Sequence, residues 1–269
     1  MRRAPESALA AVDLMPRRAF VAQIMGLPIA FHVRGPLARG AVVENAVERA
    51  FDELRADDDL FSTWKPDSPV SRIRDGRDSL DDAPLRIRRV AALCDEARQR
   101  TGGAFSAWLP DGHGARRFDP TGLVKGWAVE QALRGVVARL DPLGAHDVLV
   151  NAGGDIAVHC SRTDTPDWAI AVEDPRDRRR VVQRLELRTG AVATSGTAAR
   201  GRHITDPSTG EPANKLLSAT VIGPELMWAD VYATAAFVLG RSGLGWLATR
   251  PAHAAVLVDH DGSVTTIRG

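Results

Sequence analysis

The spacing of apolar residues changes several times along the chain, and each change predicts an element. Residues 19–34 are apolar and β-branched on either side of Gly26-Leu27-Pro28, which predicts an opening strand or hairpin. Over residues 41–60, Val43, Ala46, Val47, Ala50, Phe51 and Leu54 recur at intervals of three and four with acids and arginines between them, the pattern of an amphipathic helix. A loop over residues 61–69 carries Trp64, and a second helix is expected over 84–101. A glycine-rich stretch, 102–126, leads into a helix over 127–140. Strands are expected at 147–150, 156–159, 168–172 and 182–187, then a polar loop over 195–214 and a strand at 218–222. A long apolar helix over 227–239 and a terminal hairpin around Asp261-Gly262 complete the pattern. Helices and hairpins interleave without a regular strand-helix-strand rhythm and without a fixed-period repeat, so the fold class expected is α+β with antiparallel sheet. Residues 19–269 read as one domain behind a flexible N-terminal extension, 1–18.

Composition narrows the function classes. A chain of 269 residues with 44% hydrophobic residues, 26% charged residues and a net charge of +1 can bury a large core and shows no sign of disorder or of a polyanion or membrane partner. Cys94 and Cys160 lack metal-type spacing and read as reduced thiols. The N-terminus has no uninterrupted apolar region or lipid-attachment cysteine, and no apolar run is long enough to span a bilayer; a soluble cytoplasmic protein is expected. Cationic side chains are nearly all arginine, and the lysines Lys65, Lys125 and Lys215 stand out against that background as positions where an ammonium is wanted.

Four segments place small or polar residues where packing alone would not ask for them. In VLVNAGGDI, residues 148–156, an apolar strand ends in a glycine pair over which a backbone could approach a ligand closely; an ordinary hairpin turn would look the same. Residues 119–126, DPTGLVKG, enter a helix with free amides and Lys125, which suits a phosphate, although the glycine spacing is not that of a Walker loop and Lys125 could equally be solvated. The polar loop over residues 203–210 contains His203 and Asp206, able to bind an anion or move a proton, or simply to be hydrated. Asp230 and Thr234, four apart on the apolar helix, share a face on which a hard cation could sit beside phosphate oxygens; the plainer alternative is an acid near a helix start, favoured by the macrodipole, with Thr234 bonding back to a carbonyl.

Taken in order, these segments, with Met25-Gly26, the run Phe61-Ser62-Thr63-Trp64 and the run Thr101-Gly102-Gly103-Ala104-Phe105, resemble the ApbE-like FAD:protein FMN transferases over most of the chain. The resemblance implies a T-fold-like architecture and an FAD whose ring system lies against Trp64 near Met25, lined by Ala104, Phe105, Ser106 and Ile204, with Asp119 and Lys125 on the dinucleotide. It implies Mg²⁺, or Mn²⁺, on the Gly122 carbonyl and the side chains of Asp230 and Thr234; since a hydroxyl is a poor nucleophile, His203 is the general-base candidate, with Asp206 as its orienter or a loop-shaping residue. The reaction implied is transfer of FMN to a Thr or Ser hydroxyl of an acceptor flavoprotein with release of AMP; the alternatives are an FAD pyrophosphatase and a flavin carrier without catalysis. Leu27 stands where the family has Thr, and Ser106 where it has Asp, which removes one carboxylate contact to the flavin. Residues 261–266, DGSVTT, resemble the family's acceptor motif only loosely and read better as a turn.

Overall fold

The computed structural model describes residues 15–110, 115–144, 146–197, 201, 204–250 and 253–267. The opening hairpin is β1 (Arg17–Ile24) and β2 (Leu27–Arg34), joined by a two-residue turn in which both Met25 and Gly26 have positive φ, 55° and 73°, as the twist of a tight hairpin demands. In β2, Leu27, Ile29, Phe31 and Val33 are buried while Pro28 and His32 are exposed, the period-two alternation of a strand with one face on a core. β1 takes in Arg17 and Arg18, and residues 1–14 lie outside those described.

After this hairpin come α1 (Ala41–Phe61), the short α2 (Pro69–Arg74), α3 (Leu85–Arg100), a small hairpin of β3 (Trp108–Pro110) and β4 (Arg116–Phe118), and α4 (Thr121–Leu140). A second hairpin, β5 (Asp147–Ala152) and β6 (Asp155–Cys160), follows, then an arm formed by β7 (Trp168–Asp174) and β8 (Asp177–Leu187). The chain continues through β9 (Thr189–Gly196), β10 (Ser218–Gly223), α5 (Leu226–Leu239), α6 (Gly243–Ala248), β11 (Ala254–Val258) and β12 (Val264–Ile267). Eight strands form one sheet in the order β1-β2-β5-β6-β9-β10-β11-β12, antiparallel throughout. Each half of that sheet is built the same way: two hairpins paired side by side, with helices inserted between them. The expected α+β fold is the one observed.

One sheet face carries the main core, in which α1, α4 and α5 pack on the strands. On the other, the β7–β8 arm covers a smaller cluster of Val158, Ile170 and Val192 with Ile156, Trp168 and Leu185 around it. The two halves meet where β6 pairs with β9.

Several boundaries differ from the sequence expectation, each for a physical reason. The helix expected from residue 127 begins at Thr121, so Gly122, Lys125 and Gly126 are helical residues rather than loop. Glycine is a poor helix former, but Gly126 lies where α5 crosses: a Cβ there would stand 3.2 Å from Asp230 Cβ and from Met227 Cα, so packing overrides propensity. The glycine-rich stretch hides β3 and β4, whose three residues each are too short for a periodic signal. The first two residues of the polar loop expected from Ser195 are still β9, which ends at Gly196, and β8 begins at Asp177 because an arm strand exposed along most of its length tolerates a run of arginines. Between α1 and α3 the sequence pattern also missed α2, which starts on Pro69 behind Ser68, whose hydroxyl accepts the Ser71 N–H at 3.0 Å. Residues 261–263 lie in the β11–β12 turn, with the Asp261 carboxylate accepting the Ser263 N–H at 2.8 Å, and residues 264–266 already belong to β12.

The start of α5 is completed from outside the helix. Glu130 of α4 accepts the Met227 N–H at 3.1 Å, a carboxylate at the positive end of a helix. Burial pushes the Glu130 carboxyl up, against the pull of Met227 N–H and Arg134. The folded state therefore holds this proton more tightly than the unfolded chain, a contribution present in acid and lost as pH rises through the folded pKa. Glu130→Gln keeps an acceptor and removes the charge, so its thermal midpoint relative to the parent should climb as pH rises above the ordinary carboxylate range. A difference that stays flat with pH would refute this account of Glu130.

Candidate active site

Where the two halves of the sheet meet, a cavity of about 470 Å³ opens between the β5–β6 turn, the first turns of α4, strands β7 and β9, and α5. The turn at its edge is Gly153-Gly154, with φ of 63° and 104°, a left-handed pair that L side chains resist; the Asn151 side chain accepts the Gly154 N–H at 2.9 Å and holds it closed.

The centre of the cavity is ionic. Lys125, on the second turn of α4, reaches out between two buried carboxylates, hydrogen-bonding Asp155 on β6 and lying 2.8 Å from Asp230 Oδ2 on α5. Asp155 Oδ1 also accepts the Thr194 N–H of β9 at 3.0 Å. Beside this cluster the hydroxyls of Ser195 and Thr234 are 3.0 Å apart, and those of Thr194 and Thr220 are 2.9 Å apart. At the start of α4, Asp119 accepts the Thr121 N–H at 3.1 Å and the Thr121 hydroxyl at 2.5 Å, so the position matched to dinucleotide binding also caps the helix. Arg74 of α2 lies 3.7 Å from the other Asp119 oxygen.

Nine residues singled out in the sequence line this one cavity: Ala104, Phe105, Ser106, Asp119, Gly122, Lys125, Ile204, Asp230 and Thr234. Phe105 packs so closely on α4 that a Cβ at Gly122 would come within 3.3 Å of its ring. The Ser106 hydroxyl is turned to its own chain, accepting the Trp108 N–H at 3.0 Å.

Other positions fall elsewhere. Trp64, 94% exposed on the loop between α1 and α2, and Met25, packed on the core, do not line the cavity. Asp206 also stands outside the lining. Its carboxylate accepts the Ser208 N–H at 2.9 Å and hydroxyl at 2.6 Å, and burial works against its charge, but Ser208 and the more distant Lys215 hold it below the usual carboxylate range. That is the arrangement of a loop-shaping residue. His203 lies outside the described residues.

Sequence reasoning gave no role to Asp155, Thr194 or Ser195, though Asp155 lies in the VLVNAGGDI segment and Ser195 opens the expected polar loop. The available signal was an acid immediately after a glycine pair at the start of an apolar strand, and two hydroxyl residues directly after an Ala-Val-Ala run.

The donor set suits a hard cation of a particular kind. No group of three or more His, Cys, Asp or Glu side chains able to hold a metal occurs among the described residues. What the cavity offers is oxygen: the Asp230 carboxylate, the Thr234 hydroxyl and the main chain of α4. Mg²⁺ is commonly bound through one or two carboxylates with substrate phosphates completing its shell, and these residues fit that pattern.

The sequence model of the ApbE family matches residues 108–258. The chain belongs to the ApbE family. Among its relatives, the FAD:protein FMN transferase of Vibrio cholerae O395 is 35% identical over 133 residues, a stretch covering 46% of this chain and 39% of that protein. The FAD:protein FMN transferase of Klebsiella pneumoniae 342 is 26% identical over 242 residues, 70% of this chain and 69% of the relative. Solved structures share the ApbE fold: the ApbE protein of Thermotoga maritima superposes with a TM-score of 0.78 at 21% identity, covering 93% of this chain and 96% of the other. The flavin transferase ApbE from Vibrio cholerae gives 0.74 at 21% identity, over 94% and 97%. The cavity edge, from β3 through the ionic cluster to β10, lies inside the segment matched to the ApbE family, while Trp64, Ala104, Phe105 and Ser106 precede it.

Proposed function

We propose that this ApbE-family chain transfers FMN from FAD to a Thr or Ser hydroxyl of an acceptor flavoprotein and releases AMP. The observation that carries the reading is the convergence, in one cavity, of an ammonium, two carboxylates and paired hydroxyls with apolar walls on either side, a distribution matched to a pyrophosphate between two ring systems. Lys125 anchors phosphate oxygens as a point charge at the start of α4, where the helix dipole also favours anions. Ala104, Phe105 and Ile204 take the flavin side of the dinucleotide, and Asp119 its polar edge. Mg²⁺ or Mn²⁺ on Asp230, Thr234 and the Gly122 carbonyl would neutralise pyrophosphate charge and favour departure of AMP. In the transfer itself the acceptor oxygen forms a bond to the FMN phosphorus, the bridging P–O bond breaks toward AMP, and the hydroxyl proton passes to His203.

A cytoplasmic setting is supported by Cys94 and Cys160, both free thiols, the first buried with its pKa pushed up by burial. No helix among the described residues is long and apolar enough to cross a membrane.

Incubating the protein with FAD, Mg²⁺ and candidate flavoprotein domains, then measuring the intact mass of each domain, tests the reading: one domain should gain an FMN. FMN and AMP appearing in solution with every domain unmodified would make the chain a pyrophosphatase instead. Trp64 supplies a second check. Nothing packs on this indole, so Trp64→Ala should leave the thermal midpoint nearly unchanged. If the ring stacks on bound flavin, FAD affinity should fall by about 1–3 kcal/mol. Unchanged affinity would remove Trp64 from the site.

A further inference from the structure

We infer that Asp155 is a positioning residue of the transfer site: held by the β9 backbone, it fixes the Lys125 ammonium where the pyrophosphate binds. The inference rests on the reading of the cavity as a dinucleotide site.

A lysine ammonium rides on a flexible four-carbon stem and has no preferred direction of its own. Lys125 reaches the cavity from α4, and its two hydrogen-bond partners come from other elements. Of these, Asp230 belongs to the oxygen set that suits a cation and cannot serve as a dedicated anchor. Asp155 can. It follows the Gly153-Gly154 turn at the first position of β6, paired with Ala152, and is buried. One of its oxygens is occupied by the Thr194 N–H at 3.0 Å, which fixes the carboxylate against β9, and the other faces the ammonium. The contact therefore joins α4 to the seam at which β6 and β9 pair, and the two halves of the sheet meet on it.

Charge balance points the same way. Two carboxylates and one ammonium leave the cluster one negative charge in excess; with Asp155 paired to Lys125 that excess sits on Asp230, where a cation would offset it. A buried carboxylate is tolerated when it is paired and hydrogen-bonded, and Asp155 meets both conditions without any ligand. Its charge is thus committed to Lys125, leaving the one ammonium hydrogen not taken by Asp155 or Asp230 for a ligand.

The test compares FAD, which has the pyrophosphate, with riboflavin, which lacks it, by flavin fluorescence on the wild type, Asp155→Asn, Asp155→Glu, Lys125→Met and the double variant Asp155→Asn/Lys125→Met, with thermal midpoints as folding controls. Asp155→Asn should weaken FAD by roughly tenfold and leave riboflavin unchanged, and Asp155→Glu should recover part of the loss. The double variant should bind FAD no more weakly than Lys125→Met, because a residue acting through Lys125 has nothing left to act on. Losses that add, or a riboflavin affinity that falls in parallel with FAD, would overturn the role and leave Asp155 a structural residue. Should Lys125→Met fail to fold with two carboxylates facing each other, the FAD-to-riboflavin comparison on Asp155→Asn decides alone. A wild type without FAD affinity would sink the reading of the cavity and this role together, an outcome separate from additive losses in a chain that binds FAD.

Discussion

Asp230→Ala should abolish AMP release from FAD while leaving the chain folded. The second half of that expectation follows from the ionic cluster. Asp230 shares the Lys125 ammonium with Asp155, so its removal leaves one ammonium facing one carboxylate, a balanced pair with the Thr194 N–H still satisfied. No buried charge is orphaned, the circumstance that makes breaking an ion pair costly. Removing Lys125 does the opposite and leaves two carboxylates facing each other. The first half follows from the donor set: Asp230 is the carboxylate beside the Thr234 face of α5, and without it the cation site keeps only neutral oxygens. A cation that contributes several kcal/mol to the transition state implies a fall in single-turnover AMP release of about a thousandfold or more. Mg²⁺ titration by calorimetry should lose its signal in the same variant. Full activity of the parent in EDTA, or a variant with normal turnover, would remove the metal from the mechanism.

How much of this was legible beforehand depended on the kind of signal each part leaves. Elements with long periodic faces were readable: α1 with its three-four spacing, β2 with its alternation, and α5, apolar around nearly its whole surface and correspondingly buried. The seam between β6 and β9 was not, because strand pairing across the intervening arm, residues 161–188, leaves no local trace. That seam builds the site. Asp230 and Lys125 could be named from their segments, but their meeting across 105 positions of sequence, with Asp155 between them, is a property of the packed halves. The start of α4 was misplaced for a related reason. Gly122 and Gly126 look like loop residues locally, yet Phe105 and Asp230 approach so closely that little besides glycine fits. Residues that break local rules are concentrated here, at the site, as expected where function rather than folding chose them.

A base is still needed for the acceptor hydroxyl, and His203→Ala should lower transfer by roughly 10²–10⁴ with FAD affinity largely kept. Among the described side chains of the cavity the carboxylates are already engaged: Asp155 and Asp230 with Lys125, Asp119 with Thr121, Glu173 with Arg178 and Asp174 with Arg176. Asp206, three positions from His203, is tied to Ser208 and held ionised by it, which equips it to shape the loop but makes it a weak proton acceptor. Ile204 and Pro207, on the same loop, line the cavity, so the loop reaches the site. An imidazole that acts as base must be neutral, so the rate should rise with pH through the His range, near ~6.5. The competing role is loop closure over the flavin, in which case the alanine variant would bind FAD more weakly and keep the parent's pH profile. Measuring FAD affinity and single-turnover AMP release on the same variant from about pH 5 to about pH 9 separates the two. A variant that keeps the parent's inflection would exclude His203 as the base, because a proton acceptor that is absent cannot titrate.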